Sequence, residues 1–214
     1  FLANTFPEFD YVGVGRDDGR EAGEMAALFY RRDRFERLGA GHFWLSETPD
    51  KVGSKSWDSA LPRIVSWVKL RDRRRPDAPP VAYFNTHFDH QGVTARLESA
   101  RLLRRQIGVL GKDCSIIVTG DFNTDEGSPP YTTLFDPATE PASTRLRDTF
   151  REAHPTRAEH EGTFSGFIAD TTRGARIDWI GVSSDWTVLD GAIDHTSNAG
   201  RTPSDHFPVT AIVK

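Results

Sequence analysis

The residues with the most chemical potential sit in short polar segments, each at the end of an apolar run. Ile116-Ile117-Val118-Thr119-Gly120 leads straight into Asp121-Phe122-Asn123, a carboxylate and a carboxamide two residues apart. Along an extended backbone such residues share a face, so Asp121 and Asn123 would point into one cleft. An ionised Asp binds a hard divalent cation or orients and deprotonates a water, and the Asn amide offers a donor and an acceptor to phosphate or metal. A plain Asp-Asn turn is the competing reading. Val81-Ala82-Tyr83-Phe84 runs in the same way into Asn85-Thr86-His87-Phe88-Asp89-His90. There His87 either donates a proton or hydrogen bond to a phosphate oxygen or is a structural strand-end histidine. Arg176-Ile177-Asp178-Trp179-Ile180 puts one carboxylate in a strand destined for burial, where an unpaired charge is expensive. His206, in Thr202-Pro203-Ser204-Asp205-His206-Phe207-Pro208, is the obvious partner. An Asp holding one imidazole nitrogen fixes the tautomer and frees the other nitrogen for chemistry. Asp205, next to it, is then available to a metal.

Short strands must carry these groups. Apolar alternation and Gly, Pro, Asp and Asn punctuation predict strands at residues 11–15, 25–30, 42–45, 64–70, 81–87, 115–120, 177–182, 187–192 and 209–213. One amphipathic helix is expected over Thr94 to Leu110, with Leu97, Ala100, Leu103, Ile107 and Leu110 inward. Its arginines at 96, 101, 104 and 105 read as a solvated face rather than a nucleic-acid surface. Many strands and few helices imply packed sheets with helices outside, an α/β layered sandwich.

Asn85-Thr86-His87-x-Asp89, Gly120-Asp121-Phe122-Asn123, Arg176-Ile177-Asp178-Trp179-Ile180 and Pro203-Ser204-Asp205-His206, in that order, resemble the endonuclease/exonuclease/phosphatase superfamily. That superfamily includes pancreatic-type deoxyribonuclease, abasic-site endonucleases, deadenylases, inositol-polyphosphate 5-phosphatases and neutral sphingomyelinases. Phe43-Trp44-Leu45-Ser46-Glu47-Thr48-Pro49 and Trp57-Asp58 look like its bacterial branch. The resemblance implies one domain over residues 1–214, a four-layer α/β/β/α sandwich of two packed, mainly antiparallel sheets with the cleft at one end. It implies that Asp121 activates the attacking water and that Asn123 contacts phosphate and helps fix metal or water. It places His206, oriented by Asp178, on the developing phosphoryl charge, Asp205 at the metal, and His87 as a second phosphate-facing histidine supported by Glu24. Arg63 resembles an arginine that reaches substrate phosphate, with a surface ion pair as the alternative. The oxygen-rich ligands imply Mg²⁺, or Mn²⁺.

Two departures stand out. The superfamily normally opens with a strand carrying a metal-site Asn, followed by a Gln-Glu whose Glu is the main metal ligand. Neither is in this sequence, and Phe1-Leu2-Ala3-Asn4-Thr5-Phe6 looks like the tail of the helix after that Glu. The expected domain is therefore N-terminally incomplete, lacking its first strand and the start of its first helix. Asp89-His90 varies across the superfamily and takes no role from it. Two functions stay open: a divalent-metal-dependent phosphoesterase, either nuclease or small-molecule phosphatase, or a non-catalytic binding module of the same fold that has lost the metal-site Glu.

Composition adds exclusions. A net charge of −4 and a pI near 6.0 do not advertise a nucleic-acid binder, although a phosphoesterase needs positive potential only at its cleft. The single cysteine, Cys114, excludes an internal disulfide and a Cys-based zinc site, and reads as filler in a buried strand. No apolar run approaches the roughly 20 residues that span a bilayer. The expectation is a soluble monomer, secreted or cytoplasmic, acting on nucleic acid, inositol phosphate or another phosphoester. His42 is expected to pack, and His195 shows no partner. The aromatic loop Gly162-Thr163-Phe164-Ser165-Gly166-Phe167 either borders the cleft or packs as an ordinary loop.

Overall fold

The computed structural model describes residues 5–138 and 141–214, so the expected helix tail at Phe1–Phe6 falls for its first four residues outside the described ones. Six strands, β3 (Phe35–Trp44), β4 (Ile64–Asp72), β5 (Val81–His87), β6 (Ser115–Asp121), β7 (Arg147–Asp148) and β8 (Asp178–Val182), form a sheet in the order β3-β4-β5-β6-β8-β7. Every neighbouring pair is antiparallel except β5–β6. That parallel pair needs a crossover, which helix α1 (Val93–Leu110) provides.

Alternation divides the sheet into two faces. Val65, Ala82, Phe84, Ile116 and Val118 face α1 and α2 (Pro129–Phe135), meeting Ala100, Leu103, Ile107, Leu134 and Phe135 in the main core. Val68 and Leu70 face the other way, against Val12, Leu28 and Tyr30 of the antiparallel ribbon β1 (Phe9–Val12) and β2 (Leu28–Arg31). A second ribbon, β9 (Val188–Ile193) with β10 (Val209–Val213), stands beside α3 (Thr149–Ala153) and β8. The chain is thus a mixed α/β fold, with one six-stranded sheet and two small ones among the described residues. The second sheet is divided: among the described residues no ladder joins the ribbons. A groove of about 780 Å³ lies between them, lined by Phe29, Tyr30, Tyr83, Ala211 and Val213 among others.

Several sequence expectations need correction. β3 starts seven residues before the expected position 42: its first half is laddered to β4, but its sequence, Phe35-Glu36-Arg37-Leu38-Gly39-Ala40-Gly41, has no sustained apolar alternation to announce a strand. β1 stops at Val12, and the chain beyond it makes only an isolated bridge, Gly15 to Met25. α2 and α3, at 7 and 5 residues, are too short to show a helical period. Arg104 is not on a solvated face. It is buried and donates to Thr133 O at 3.1 Å, Pro141 O at 2.8 Å and Thr144 Oγ1 at 2.9 Å, clamping α1 to the loop after α2. Cys114 is a half-buried free thiol just before β6 rather than within it. The expected marker Asp58 caps α1, accepting from Thr94 N at 3.1 Å and Ala95 N at 2.6 Å.

Candidate active site

Sheet register assembles the centre. His87 at the end of β5 is the register partner of Asp121 at the end of β6, and Asp121 is the partner of Asp178 at the start of β8. Residues at one level of adjacent strands project from the same face, so the three form a row at one end of the sheet. Gly120 makes the approach possible: a Cβ there would lie 2.3 Å from Thr86 O. Behind the row, Phe122 is buried, stacked on Trp179 at 4.4 Å and edge-on to Phe88 at 4.9 Å. That packing stiffens the loop carrying Asp121 and Asn123.

Asn123 reaches the site by a route other than the extended backbone expected. Its φ is 49°, in the left-handed region that Asn tolerates better than most residues. The turn lets Asn123 N donate to Asp121 Oδ1 at 2.8 Å, while Asn123 Nδ2 donates to Asp121 Oδ2 at 3.2 Å and Phe88 O at 3.0 Å. The turn and the functional convergence are therefore the same feature.

His206 comes from a loop clipped to the 163–166 segment. Phe207 N donates to Thr163 O at 2.7 Å, Ser165 N donates to Asp205 O at 2.6 Å, and Thr163 Oγ1 accepts from Asp178 N at 3.2 Å. His206 Nδ1 meets Asp178 Oδ2 at 2.8 Å, and its Nε2 lies 3.9 Å from Asp121 Oδ2. His87 Nε2 approaches that same oxygen at 3.1 Å. Two imidazoles therefore converge on one carboxylate. The hydrogen bond to Asp178 raises the pKa of His206, favouring imidazolium, while burial pushes Asp178 up, with Asp121 adding to the effect.

One oxygen each from Asp121 and Asp178 and one nitrogen of His206 lie within 4.8 Å of one another. Two carboxylates this close repel, and an oxygen-rich set of this kind fits a hard divalent cation. Asp205 is not in that group. It lies beside His206, and its charge helps to raise that pKa.

A second set of charges extends the row outward. Glu24, with a side chain 64% exposed, is 3.6 Å from His87 Nδ1 and 3.9 Å from Arg63 Nη1, and it pairs with Arg16 Nη1. Arg63 is 3% exposed, not a surface residue. Its Nε faces Asp89 at 3.4 Å, and its Nη2 donates to His90 Nδ1 at 2.9 Å. Burial lowers the Arg63 pKa and neighbouring Arg16 lowers it further, against the pull of Asp89. Burial also opposes ionisation of Asp89, but donors from Gly92, Gln91, Ala60 and Leu61 outweigh it and hold this carboxyl well below its usual range. Arg16 and Asp89 were missed by sequence reasoning. Arg16 sits in a Gly-rich turn with no periodic signal, and Asp89 stood unassigned inside a quoted motif.

The remaining histidines are peripheral. His42 is half-buried with Nδ1 3.1 Å from Ser66 Oγ, and its pKa is lowered by burial. His195 lies edge-on to Phe207 at 4.5 Å. The aromatic loop does border the cleft: half-exposed Phe164 is edge-on to His206 at 5.2 Å.

Three solved bacterial structures share this arrangement of chain. An endonuclease/exonuclease/phosphatase family protein of Bacteroides thetaiotaomicron is 38% identical, matching 99% of this chain and 77% of its own with a TM-score of 0.87. A counterpart from Bacteroides vulgatus is 36% identical over 100% of this chain and 78% of its own, with a TM-score of 0.88. The chain belongs to the endonuclease/exonuclease/phosphatase family. A third structure, the Bacteroides thetaiotaomicron mannosyl-6-phosphatase, is 38% identical over 100% of this chain and 79% of its own, with a TM-score of 0.88. No family model and no curated protein matches the chain. Among the described residues, no helix of this family member is long and apolar enough to cross a membrane.

Proposed function

We propose that this family member hydrolyses phosphate esters with a divalent cation, Mg²⁺ or Mn²⁺, and that its substrates are phosphomonoesters rather than nucleic acids. The observation that carries the reading is the convergence of His87 Nε2 and His206 Nε2 on Asp121 Oδ2, at 3.1 and 3.9 Å. A phosphoryl group bound there meets two imidazole donors and a carboxylate able to orient water. Asp121 takes a proton from the water that attacks phosphorus, the bond to the leaving oxygen breaks, and the leaving alkoxide takes a proton from solvent, to which Asp121 returns the one it accepted. His206, whose imidazolium form Asp178 favours, stabilises charge on the phosphoryl oxygens, and His87, backed by Glu24, does so from the other side. Asn123, whose Nδ2 is committed to Asp121 and Phe88, holds the water through its Oδ1. A cation held at Asp121 with Asn123 would supply further positive charge to the phosphoryl oxygens. The 38% identity to a mannosyl-6-phosphatase supports a small phosphomonoester, as does a net charge of −4.

A screen of full-length protein with Mg²⁺ against sugar phosphates, inositol phosphates, sphingomyelin, DNA and RNA tests this. Phosphate release from a monoester is the expected result. Cleavage of nucleic acid alone would overturn the substrate class, and no hydrolysis of any substrate would favour a non-catalytic binding module.

A further inference from the structure

One loop at the rim of the cleft displays apolar side chains that no core cluster takes in. Phe164, Phe167 and Ile168 are 50%, 58% and 60% exposed. Single exposed apolar residues are ordinary, but three within five positions at the edge of a polar centre mark a surface that meets a ligand. The backbone beneath them is fixed. Thr163 and Ser165, on either side of Phe164, are fully buried. Phe207 N donates to Thr163 O at 2.7 Å, Gly166 N to Asp205 O at 3.0 Å and Ile168 N to Ser165 O at 3.0 Å, while Ser165 Oγ lies 3.0 Å from Thr202 Oγ1. Phe167 has a φ of 68°, in the left-handed region that a bulky side chain adopts only at a cost. The loop is thus clipped and strained around aromatic groups that it leaves in solvent.

Of the three, Phe164 stands next to the chemistry. It forms an isolated antiparallel bridge with His206, and the two rings meet edge to face, 5.2 Å between centroids and 76° between planes. A second contact braces it: a Cβ on Gly166 would lie 3.7 Å from Phe164 Cε1. The ring is therefore held on two sides, and half of its surface is left free beside the imidazole whose Nε2 faces Asp121. The opposite wall of the site differs in kind. There His87 Nδ1 is 3.6 Å from the exposed, charged Glu24. A phosphate ester seated between the histidines can direct its alcohol toward either wall. An alcohol that carries a ring gains by burying a flat C–H or π face on Phe164 and loses by desolvating Glu24. A short alkyl alcohol has too little area to gain from either.

We infer that Phe164 is a specificity-determining wall that packs against the ring of the leaving alcohol, so that ring-bearing phosphate esters are selected over short alkyl ones. Sugar rings and aromatic rings share the required face, and the test separates them. The inference rests on the phosphate position proposed above, but it is read by affinity rather than by turnover.

Phosphonates, whose C–P bond is not hydrolysed, allow that reading. Calorimetry with full-length protein and Mg²⁺ would compare methylphosphonate, benzylphosphonate and the phosphonate isostere of mannose 6-phosphate, in wild type, Phe164→Ala and Phe164→Tyr. Wild type is expected to bind at least one ring-bearing ligand about fivefold more tightly than methylphosphonate, the size of one aromatic contact. Preference for the sugar isostere identifies a sugar ring as the group selected, and preference for the benzyl ligand an aromatic one. Phe164→Ala should lose most of the preference while keeping its affinity for methylphosphonate, and Phe164→Tyr should retain the preference. A role confined to holding the loop or His206 would weaken all three ligands alike in Phe164→Ala, and that result would overturn the wall. So would no binding, equal binding of all three ligands by wild type, or an unaltered preference in Phe164→Ala. Phosphate release from mannose 6-phosphate reports separately on the catalytic reading: ring-selective binding without it keeps the wall and rejects the hydrolase.

Discussion

Two ionic clusters flank the row of His87, Asp121 and Asp178, and they are built to opposite ends. On one side, Arg176 pairs with Asp148 and reaches Glu126 at 3.0 Å, and Arg151 bonds Glu126 at 2.9 Å and Glu161 at 2.5 Å. Tyr131 Oη donates to Asp148 at 2.8 Å, and Asp148 also caps α3. The side chains of Asp148, Glu126 and Glu161 are only 4%, 9% and 12% exposed. On the other side, Glu24 is 64% exposed while its two arginines are buried. Both clusters contain an orphan arginine nitrogen, since Arg176 Nε also lacks a partner, although that guanidinium lies 5.1 Å from the Phe150 ring. The difference is where the anions are. A network that encloses its carboxylates ties together chain segments, here the loop after Asn123 and the strand that begins at Asp178. A cluster that encloses its cations and exposes its anion presents a group to something outside.

The contrast is open to direct attack. Asp178→Asn strikes the row itself. It keeps the shape behind His206 but removes the charge that favours imidazolium, and kcat should fall by about 10²–10⁴-fold. Stability should not fall with it. The Asp178 pKa is raised in the folded protein, so its ionised form costs folding energy that Asn avoids. A thermal melt set beside the kinetics would show the separation, and a large loss of melting temperature would contradict it. Arg176→Met strikes the enclosed network and should cost about 3–5 kcal/mol in urea unfolding, because buried carboxylates lose their counter-charge. Glu24→Gln, in the exposed cluster, should cost only about 1–2 kcal/mol in the same assay. If the two losses came out equal, the distinction between the clusters would fail.

Acid provides the mildest probe. Burial opposes ionisation of Glu126, but hydrogen bonds from Arg151 and Arg176 win and depress its pKa below 4.5, and Glu161 is likewise depressed by Arg151 against burial. A depressed carboxylate contributes stability that is present above its unfolded pKa and is lost as pH falls through the folded one. Melting temperature should therefore hold near neutrality and decline below about pH 4.5, with a shallower decline in Glu126→Gln. An equal slope in wild type and variant would remove these groups from the account.

How much of this was legible in the sequence follows from the range of the interactions. Asp121, Asn123, His87 and Asp178 announce themselves because polar groups at the ends of apolar strands are a local pattern; the β5–β6–β8 register brings His87, Asp121 and Asp178 together, while a turn delivers Asn123 and a loop delivers His206. The fold class follows from the same strands. The enclosed network is not legible: Arg176 finds Asp148 across 28 positions and Glu126 across 50, and nothing local marks an arginine for burial. Arg104 shows the same blindness, since helical spacing placed on solvent a guanidinium that tertiary contacts bury. Asn123 was expected in the right place for the wrong reason, because a left-handed turn does what extended backbone was expected to do. Division of the second sheet into two ribbons depends on which edges pair, and alternation alone does not specify that.

The central claim is that Asp121, between two imidazoles, directs water onto a phosphate ester with the help of a divalent cation. Release of inorganic phosphate from mannose 6-phosphate by full-length protein tests it most directly, measured with Mg²⁺, with EDTA, and in Asp121→Ala. Turnover is expected with Mg²⁺ and should disappear with EDTA and in the variant. Turnover that survives in Asp121→Ala would contradict the account.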